Sequence, residues 1–243
     1  MLENLHSDEI LFLDIETVPQ QPSFTDLDDD FQHLWDKKST NMRKPEETAS
    51  DLYNRAGIYS EFGKIICIST GYLHHIEGTD HFRTKSFFGH DEKKMLQEFA
   101  AMLKVFSAKK NIILAAHNGK EFDFPYISRR MLINGIQLPR ILDIAGKKPW
   151  EVNFIDTLEL WKFGDYKNYT SLALLTKVFG IPTPKDDIDG SQVAEVYYVE
   201  KNLERIVRYC EKDVLAVAQL FQKYRGDELI KPENWLSMTA FTL

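Results

Sequence analysis

Glu9 to Thr17 reads EILFLDIET, an apolar run that closes on two acids and a hydroxyl. Apolar side chains at nearly every position predict a strand buried on both faces, the central strand of an α/β sheet, with its chemistry at the C-terminal end. Asp14 and Glu16 stand two apart, so the period-two alternation of a strand sends both carboxylates to one face. A single D-x-E pair is expected about once by chance in a chain of ordinary composition. Taken alone, one acid could cap a turn while the other is simply exposed at the strand end.

Outward from that strand, Val18 to about Phe62 loosens into Pro19, Pro22 and the acidic DLDDD run, with a short helix expected in PEETASDLYNRAG. This reads as an insertion at about 18–62 on a single domain spanning 1–243. KIICISTGYLH (Lys64 to His74) and HFRTKSFFG (His81 to Gly89), joined by IEGTD, predict neighbouring antiparallel strands. Asp91 to Ala108 sets Met95, Leu96, Phe99, Met102, Leu103 and Phe106 on one helical stripe, and NIILAAHN follows as a short strand.

Phe124 to Asn134 predicts a helix closed by Gly135, and NFIDTLEL (Asn153 to Leu160) a fifth strand that breaks into a helix near Asp156. SLALLTKVFG and the run SQVAEVYYVEKNLERIVRYCEKDVLAVAQLFQKYRG read as helical, separated by the loop IPTPKDDIDG. Three antiparallel-type strands, a helix, then strands alternating with helices predict an α/β fold with a mixed five-stranded sheet and helices on both faces.

The 243 residues, 43% hydrophobic and 12% aromatic, suffice for a full core. No run approaches the roughly 18 apolar residues of a membrane span, and the acidic start MLENLHSDEI is unlike a signal peptide. The expectation is a soluble, cytoplasmic protein without a membrane partner. Cys67 and Cys210 form no CxxC pair and read as buried, reduced thiols. A net charge of -7 argues against a protein that coats DNA through Lys and Arg. It is compatible with an enzyme that meets phosphates through metal ions held by carboxylates.

Two further segments carry acids. AAHNGKEFDFPYISRRM places Asp123 at the mouth of a helix, where the helix dipole also favours a plain cap, and its Asn118-Gly119 pair is a strong turn signal. In RYCEKDVLAVAQLF, Tyr209 and Asp213 lie four apart, one above the other on a helix. By itself that is equally a half-buried tyrosine beside a solvated acid.

The ordered combination DIET, NGKEFD and YCEKD resembles the DEDDy branch of the DEDD 3′-5′ exonuclease superfamily, of ribonuclease H-like fold. The closest likeness is to stand-alone exonucleases related to the proofreading domain of family B DNA polymerases. It runs from about Ile10 to Phe221 and includes the KDDIDGSQV stretch (Lys185 to Val193). The sister branch places a histidine five residues before the last acid, where this chain has Arg208. The long stretch between Glu16 and Lys64 departs from the compact family pattern, and no polymerase-like segment follows, so an attached proofreading role is not expected.

The resemblance implies a metal-dependent 3′-5′ exonuclease acting on single-stranded or frayed 3′ ends of nucleic acid, with two divalent cations, Mg²⁺ or Mn²⁺, as cofactors. It makes Asp14, Glu16, Asp123 and Asp213 the metal-site acids. Asp14 would bridge the cations, Glu16 and Asp213 would complete the water-activating site, and Asp123 would support the second site through water. Tyr209 would orient that water, since a phenol of pKa about 10 is a poor base at neutral pH. Thr17, through its backbone, would hold the terminal sugar, and Asn118 and Phe122 would line the cleft, although Phe122 also suits a core position. Hard cations with oxygen ligands favour Mg²⁺ or Mn²⁺ over zinc.

Other acids fit structural roles: Asp156 as the cap of a helix begun at Thr157, and Asp189 as an N-cap three residues before Gln192. Asp186 and Asp187 join them. Arg129, Arg130, Lys147 and Lys148 are options for phosphate contact or a solvated surface. Two competing readings keep the fold: a catalytically silent module that binds nucleic-acid ends, and an endonuclease with the same clustered carboxylates.

Overall fold

Leu11, Leu13 and Ile15 enter one core cluster while Ile10 and Phe12 enter another, as alternation along a doubly buried strand requires. That strand, β1 (Ile10–Pro19), belongs to a computed structural model that describes residues 2, 5–109, 111–165, 169–182 and 187–241. It pairs antiparallel with β2 (Gly63–Ile76), which pairs antiparallel with β3 (Thr79–Phe88). Glu77 and Gly78 between them both have positive φ, the two-residue turn whose twist matches a tight hairpin.

On its other side β1 pairs in parallel with β4 (Ile113–Ala116), and β4 pairs in parallel with β5 (Ile155–Asp156). The sheet order is β5-β4-β1-β2-β3-β6. The expected five strands are present, and a sixth, β6 (Trp235–Ser237), adds parallel to β3 at the edge. Its three residues carry too short a pattern to be read as a strand. Buried Glu211 helps to hold it, accepting hydrogen bonds from Ser86, Ser237 and Thr239 hydroxyls.

One face of the sheet is covered by α2 (Glu92–Lys109) and α3 (Asp123–Ile133), which supply Met95, Leu96, Phe99, Phe124 and Ile127 to the core. The opposite face is covered by α7 (Leu203–Arg225), through Val214, Val217, Ala218 and Phe221. Between β5 and α7 lie α4 (Thr157–Lys162), α5 (Leu172–Val178) and α6 (Val193–Tyr198). The run read as one helical segment from Ser191 to Gly226 therefore divides. Lys201 takes a left-handed φ of 54°, and Asn202 caps α7 by accepting the Arg205 N–H at 3.1 Å. No helix among the described residues is long and apolar enough to cross a membrane.

The stretch between β1 and β2 corrects two expectations. The helix expected in PEETASDLYNRAG is a 3-10 turn over Tyr53–Ile58, and a regular helix, α1 (Asp29–Ser39), precedes it. The acidic run is its N-terminus: Asp28 accepts the Phe31 N–H at 2.8 Å, and Asp29 and Asp30 favour the positive end of the helix. The stretch has its own aromatic cluster around Trp35, Tyr53 and Phe62. It is fastened to α3 where the Tyr126 hydroxyl donates to Gly57 O at 2.7 Å.

Candidate active site

Because odd residues of β1 face α2 and α3, the even residues Asp14 and Glu16 face α7 with Ile10 and Phe12. Asp14 pairs across with Ser69 and Glu16 with Cys67. One step on, Thr17 pairs with Ile65, so Ile66 is an extra β2 residue, a bulge beside the acids. From α7, Tyr209, Cys210 and Asp213 are presented toward the same place. Cys210 Sγ lies 3.4 Å from Asp14 Oδ2 and 3.5 Å from Asp14 O.

Asp123 arrives from the start of α3. Its Oδ1 accepts the Ile15 N–H at 3.1 Å, which ties this acid to the strand between Asp14 and Glu16. Glu16, Asp123 and Asp213 are buried, and Asp14 is partly exposed.

Crowding shows in the acid strengths. Burial first, then the charges of Asp123, Asp213 and Glu16, hold the Asp14 carboxyl well above the usual carboxylate range, against the opposing thiol bond from Cys210. Burial likewise pushes Asp123 up to about 7. Hydrogen bonds from its own N–H and that of Ile15 oppose the rise, while Asp156 and Asp213 add to it. Such a set of carboxylates resists full ionisation without a cation. Asp14, Glu16 and Cys210 bring potential ligand atoms within 4.8 Å of one another, so this end of the cluster could hold a metal ion.

Tyr209 is buried, and burial followed by the charges of Asp213, Glu16 and Asp14 pushes its phenol far above its ordinary value. The phenol also hydrogen-bonds the Asp213 carboxylate. It therefore remains protonated as a donor. Cys210 is pushed up in the same way by burial and remains a thiol.

Thr17 is partly buried on β1 and pairs with Ile65 just past the bulge. Phe122 lies partly buried against the Tyr126 ring, centroids 5.3 Å apart, so it serves the core on at least one side. Asn118 takes a left-handed φ of 61°, and its carbonyl accepts the N–H groups of Glu121 and Phe122 at 3.2 and 3.0 Å. That turn sets the approach to Asp123. Asp156 organises it from below, accepting N–H bonds from Asn118 at 2.9 Å and Lys120 at 3.1 Å while capping α4 at Leu158 and Glu159.

Asp189 differs from the expected N-cap. Gln192 occupies that position for α6, and Asp189 heads the preceding turn, accepting the Ser191 N–H at 2.8 Å while its own N–H donates to Gln192 Oε1 at 3.0 Å. Asp187 makes a two-pronged pair with Arg205. Lys185 and Asp186 lie outside the described residues. Arg130 is not a phosphate contact: it is buried, bonds Glu92 through Nε and Nη2, and donates to Ser60 O at 2.9 Å.

Two residues near the acids carry no sequence signal of their own. In sequence Cys210 reads only as a buried thiol, and its place directly after Tyr209 on α7 is the one available hint. His117, beside Asn118, has its Nδ1 2.9 Å from Thr157 Oγ1 and its Nε2 3.0 Å from Thr170 O.

A family model described as a predicted 3′-5′ exonuclease related to the exonuclease domain of PolB matches residues 58–230. The match takes in Asn118, Phe122, Asp123, Tyr209 and Asp213, while Asp14, Glu16 and Thr17 precede it. The chain is 25% identical over 237 residues to DNA polymerase 1 of Pyrococcus abyssi, covering 86% of this chain and 30% of that protein. It is 27% identical over 145 residues to the DNA polymerase of Pyrococcus glycovorans, covering 55% of this chain and 18% of that one. The chain thus spans less than a third of the length of these curated relatives.

Among solved structures, the family B DNA polymerase of the archaeon Pyrobaculum calidifontis superposes with a TM-score of 0.56 at 16% identity, over 89% of this chain and 24% of that chain. That likeness carries the ribonuclease H-like fold. With the family match over most of its length, this chain belongs to the family of predicted 3′-5′ exonucleases related to the exonuclease domain of PolB.

Proposed function

We propose that the chain is a metal-dependent 3′-5′ exonuclease domain, carrying an insertion at about 18–62, that hydrolyses phosphodiester bonds at single-stranded or frayed 3′ ends and releases nucleotides. The observation that supports this most is the convergence of Asp14 and Glu16 from β1, Asp123 from α3 and Asp213 from α7, with burial and then mutual repulsion raising the pKa of Asp14. The donor set fits hard divalent cations, two of them, Mg²⁺ or Mn²⁺. When bound, they would supply the charge that favours ionisation of an attacking water and offsets the developing charge on the leaving oxygen.

The chain's own residues do the rest. Asp14, Glu16, Asp123 and Asp213 hold the cations, with Cys210 fixing the Asp14 carboxylate. Tyr209, kept protonated and bonded to Asp213, positions the attacking water without taking its proton. Thr17 holds the terminal sugar through its backbone, and Asn118 and Phe122 line the approach. The free thiols Cys67 and Cys210 suit a reducing compartment, the cytoplasm.

Single-stranded DNA is the favoured substrate, by analogy with the polymerase relatives. Digestion of matched, end-labelled DNA and RNA strands with Mg²⁺ or Mn²⁺ tests the proposal. The expected result is shortening of DNA from its 3′ end, with RNA cut more slowly. Intact strands of both kinds with either cation would overturn it.

A further inference from the structure

His117 holds a particular loop beside the acids. Thr170 O can only accept, so the proton of the 3.0 Å contact sits on His117 Nε2, and Nδ1 of the neutral ring accepts from the Thr157 hydroxyl at 2.9 Å. Burial lowers the His117 pKa, in keeping with that neutral form. The main chain at Thr170 is thereby bolted to the end of β4 and the start of α4. One residue further on, Ser171 caps α5 by accepting the Leu174 N–H at 3.3 Å. The backbone on the C-terminal side of Tyr169 is fixed twice.

Tyr169 stands on this anchored backbone with its ring edge against His117, centroids 6.4 Å apart at 69°. Even so, 64% of the residue is exposed. His117 precedes the Asn118 turn that Asp156 holds and that leads into Asp123, which places the Tyr169 ring beside the approach to the acids. Burial first, then the charges of Asp123, Asp156 and Asp14, raise its phenol pKa. A large aromatic held beside the approach to the acids, with most of its surface open, has a clear chemical use. In a chain of net charge -7, phosphates gain little from the protein surface, and affinity for a strand has to come from its uncharged parts as well as from cations. Every nucleobase offers a π face, and an aromatic ring binds it without adding charge.

We propose that Tyr169 is a stacking platform for a nucleobase of the unpaired 3′ end that enters the acid cluster. The assignment rests on the exonuclease reading and deepens it. It accounts for a preference for unpaired ends, because a base must leave its pair to present its face, and it implies tolerance of base identity. The phenol hydroxyl is dispensable for this role, whereas the ring is required.

The test uses the full chain in Ca²⁺, with a short 5′-fluorescein single strand carrying 2-aminopurine at its 3′ end. Anisotropy gives the Kd, and the aminopurine emission reports stacking. Tyr169→Ala is expected to weaken binding about 10-fold or more, the range set by loss of one base-aromatic stack, and to relieve the aminopurine quenching. Tyr169→Phe should bind within about twofold of wild type and retain the quenching, since the ring is kept. Replacing the 3′ base by an abasic unit should remove the difference between wild type and Tyr169→Ala.

Equal Kd and equal quenching for wild type and Tyr169→Ala, in protein that shortens the strand with Mg²⁺ or Mn²⁺, would overturn this assignment and leave the exonuclease reading standing. Tyr169→Phe as weak as Tyr169→Ala would overturn the stacking role in favour of the hydroxyl. Wild-type protein that neither binds nor shortens the strand would overturn both readings.

Discussion

The main-chain N–H of Ile15 donates to Asp123 Oδ1 at 3.1 Å, so the acid that opens α3 is held by the strand residue lying between Asp14 and Glu16. The bond makes separate predictions for two substitutions. Asp123→Asn keeps an Oδ1 acceptor and removes a crowded charge, so its stability without metal should equal or exceed that of wild type. Its turnover should fall at least 10²-fold, as expected for loss of a group that stabilises charge at the reacting centre. Asp123→Ala leaves the buried N–H unpaired and should cost about 1–3 kcal/mol. Urea unfolding in EDTA and single-turnover rates with Mn²⁺ check both outcomes.

Asp14 and Asp123 both have raised pKa values, Asp123 at about 7. Between the unfolded carboxyl value and the folded one, the folded state binds more protons, so metal-free stability should fall as pH rises from about 4 to 7. Cations that bind only the folded, ionised site should offset the loss and raise the melting temperature most at the upper end of that window. Thermal melts across this pH range, with EDTA and with Mn²⁺, check it. A metal-free stability that rises with pH would contradict the crowded-acid account.

Tyr209 is buried and bonded to Asp213, so removal of its hydroxyl keeps the ring packing and deletes one donor. Tyr209→Phe should leave cation and strand affinity nearly unchanged and lower the maximal rate on the order of 10²-fold, about 2.7 kcal/mol of barrier. A single-turnover rate within about twofold of wild type at saturating Mn²⁺ would mark Tyr209 as a packing residue.

Glu92 and Arg130 form a buried pair, with Glu92 Oε1 also accepting the Ile65 N–H at 2.7 Å. Truncation of one partner leaves the other charge buried alone, so Arg130→Ala should destabilise the fold by about 3–5 kcal/mol. The salt dependence of nucleic-acid binding should not change in the protein that remains folded. A weaker salt dependence with unchanged unfolding would return Arg130 to the phosphate contacts.

The acids were legible because each rests on a local rule. Two residues apart on a strand means one face for Asp14 and Glu16, and four apart on a helix stacks Tyr209 above Asp213. Apolar runs likewise located β1, β2 and α7. What escaped reading depends on distance in sequence: Cys210 meets Asp14 across 196 positions, and His117 meets Thr170 across 53. No local pattern encodes such contacts. The α1 helix was hidden for another reason, since its low hydrophobicity made an acidic N-terminal turn look like a loop. The break at Lys201 and the three-residue β6 are set by a single left-handed residue and by the hydroxyls around Glu211.

The central claim is hydrolysis from a free 3′ end by the acid cluster. Its most direct test compares a 5′-labelled linear single strand, the same strand with a blocked 3′ end, and a circular single strand, each incubated with Mn²⁺ and wild-type protein or Asp14→Ala. The account predicts a ladder shortening one nucleotide at a time on the free linear strand alone. It predicts none on the blocked strand or the circle, and none with Asp14→Ala, whose fold without metal should be as stable as wild type or slightly more so. Cleavage of the circle, or an undiminished ladder from Asp14→Ala, would contradict it.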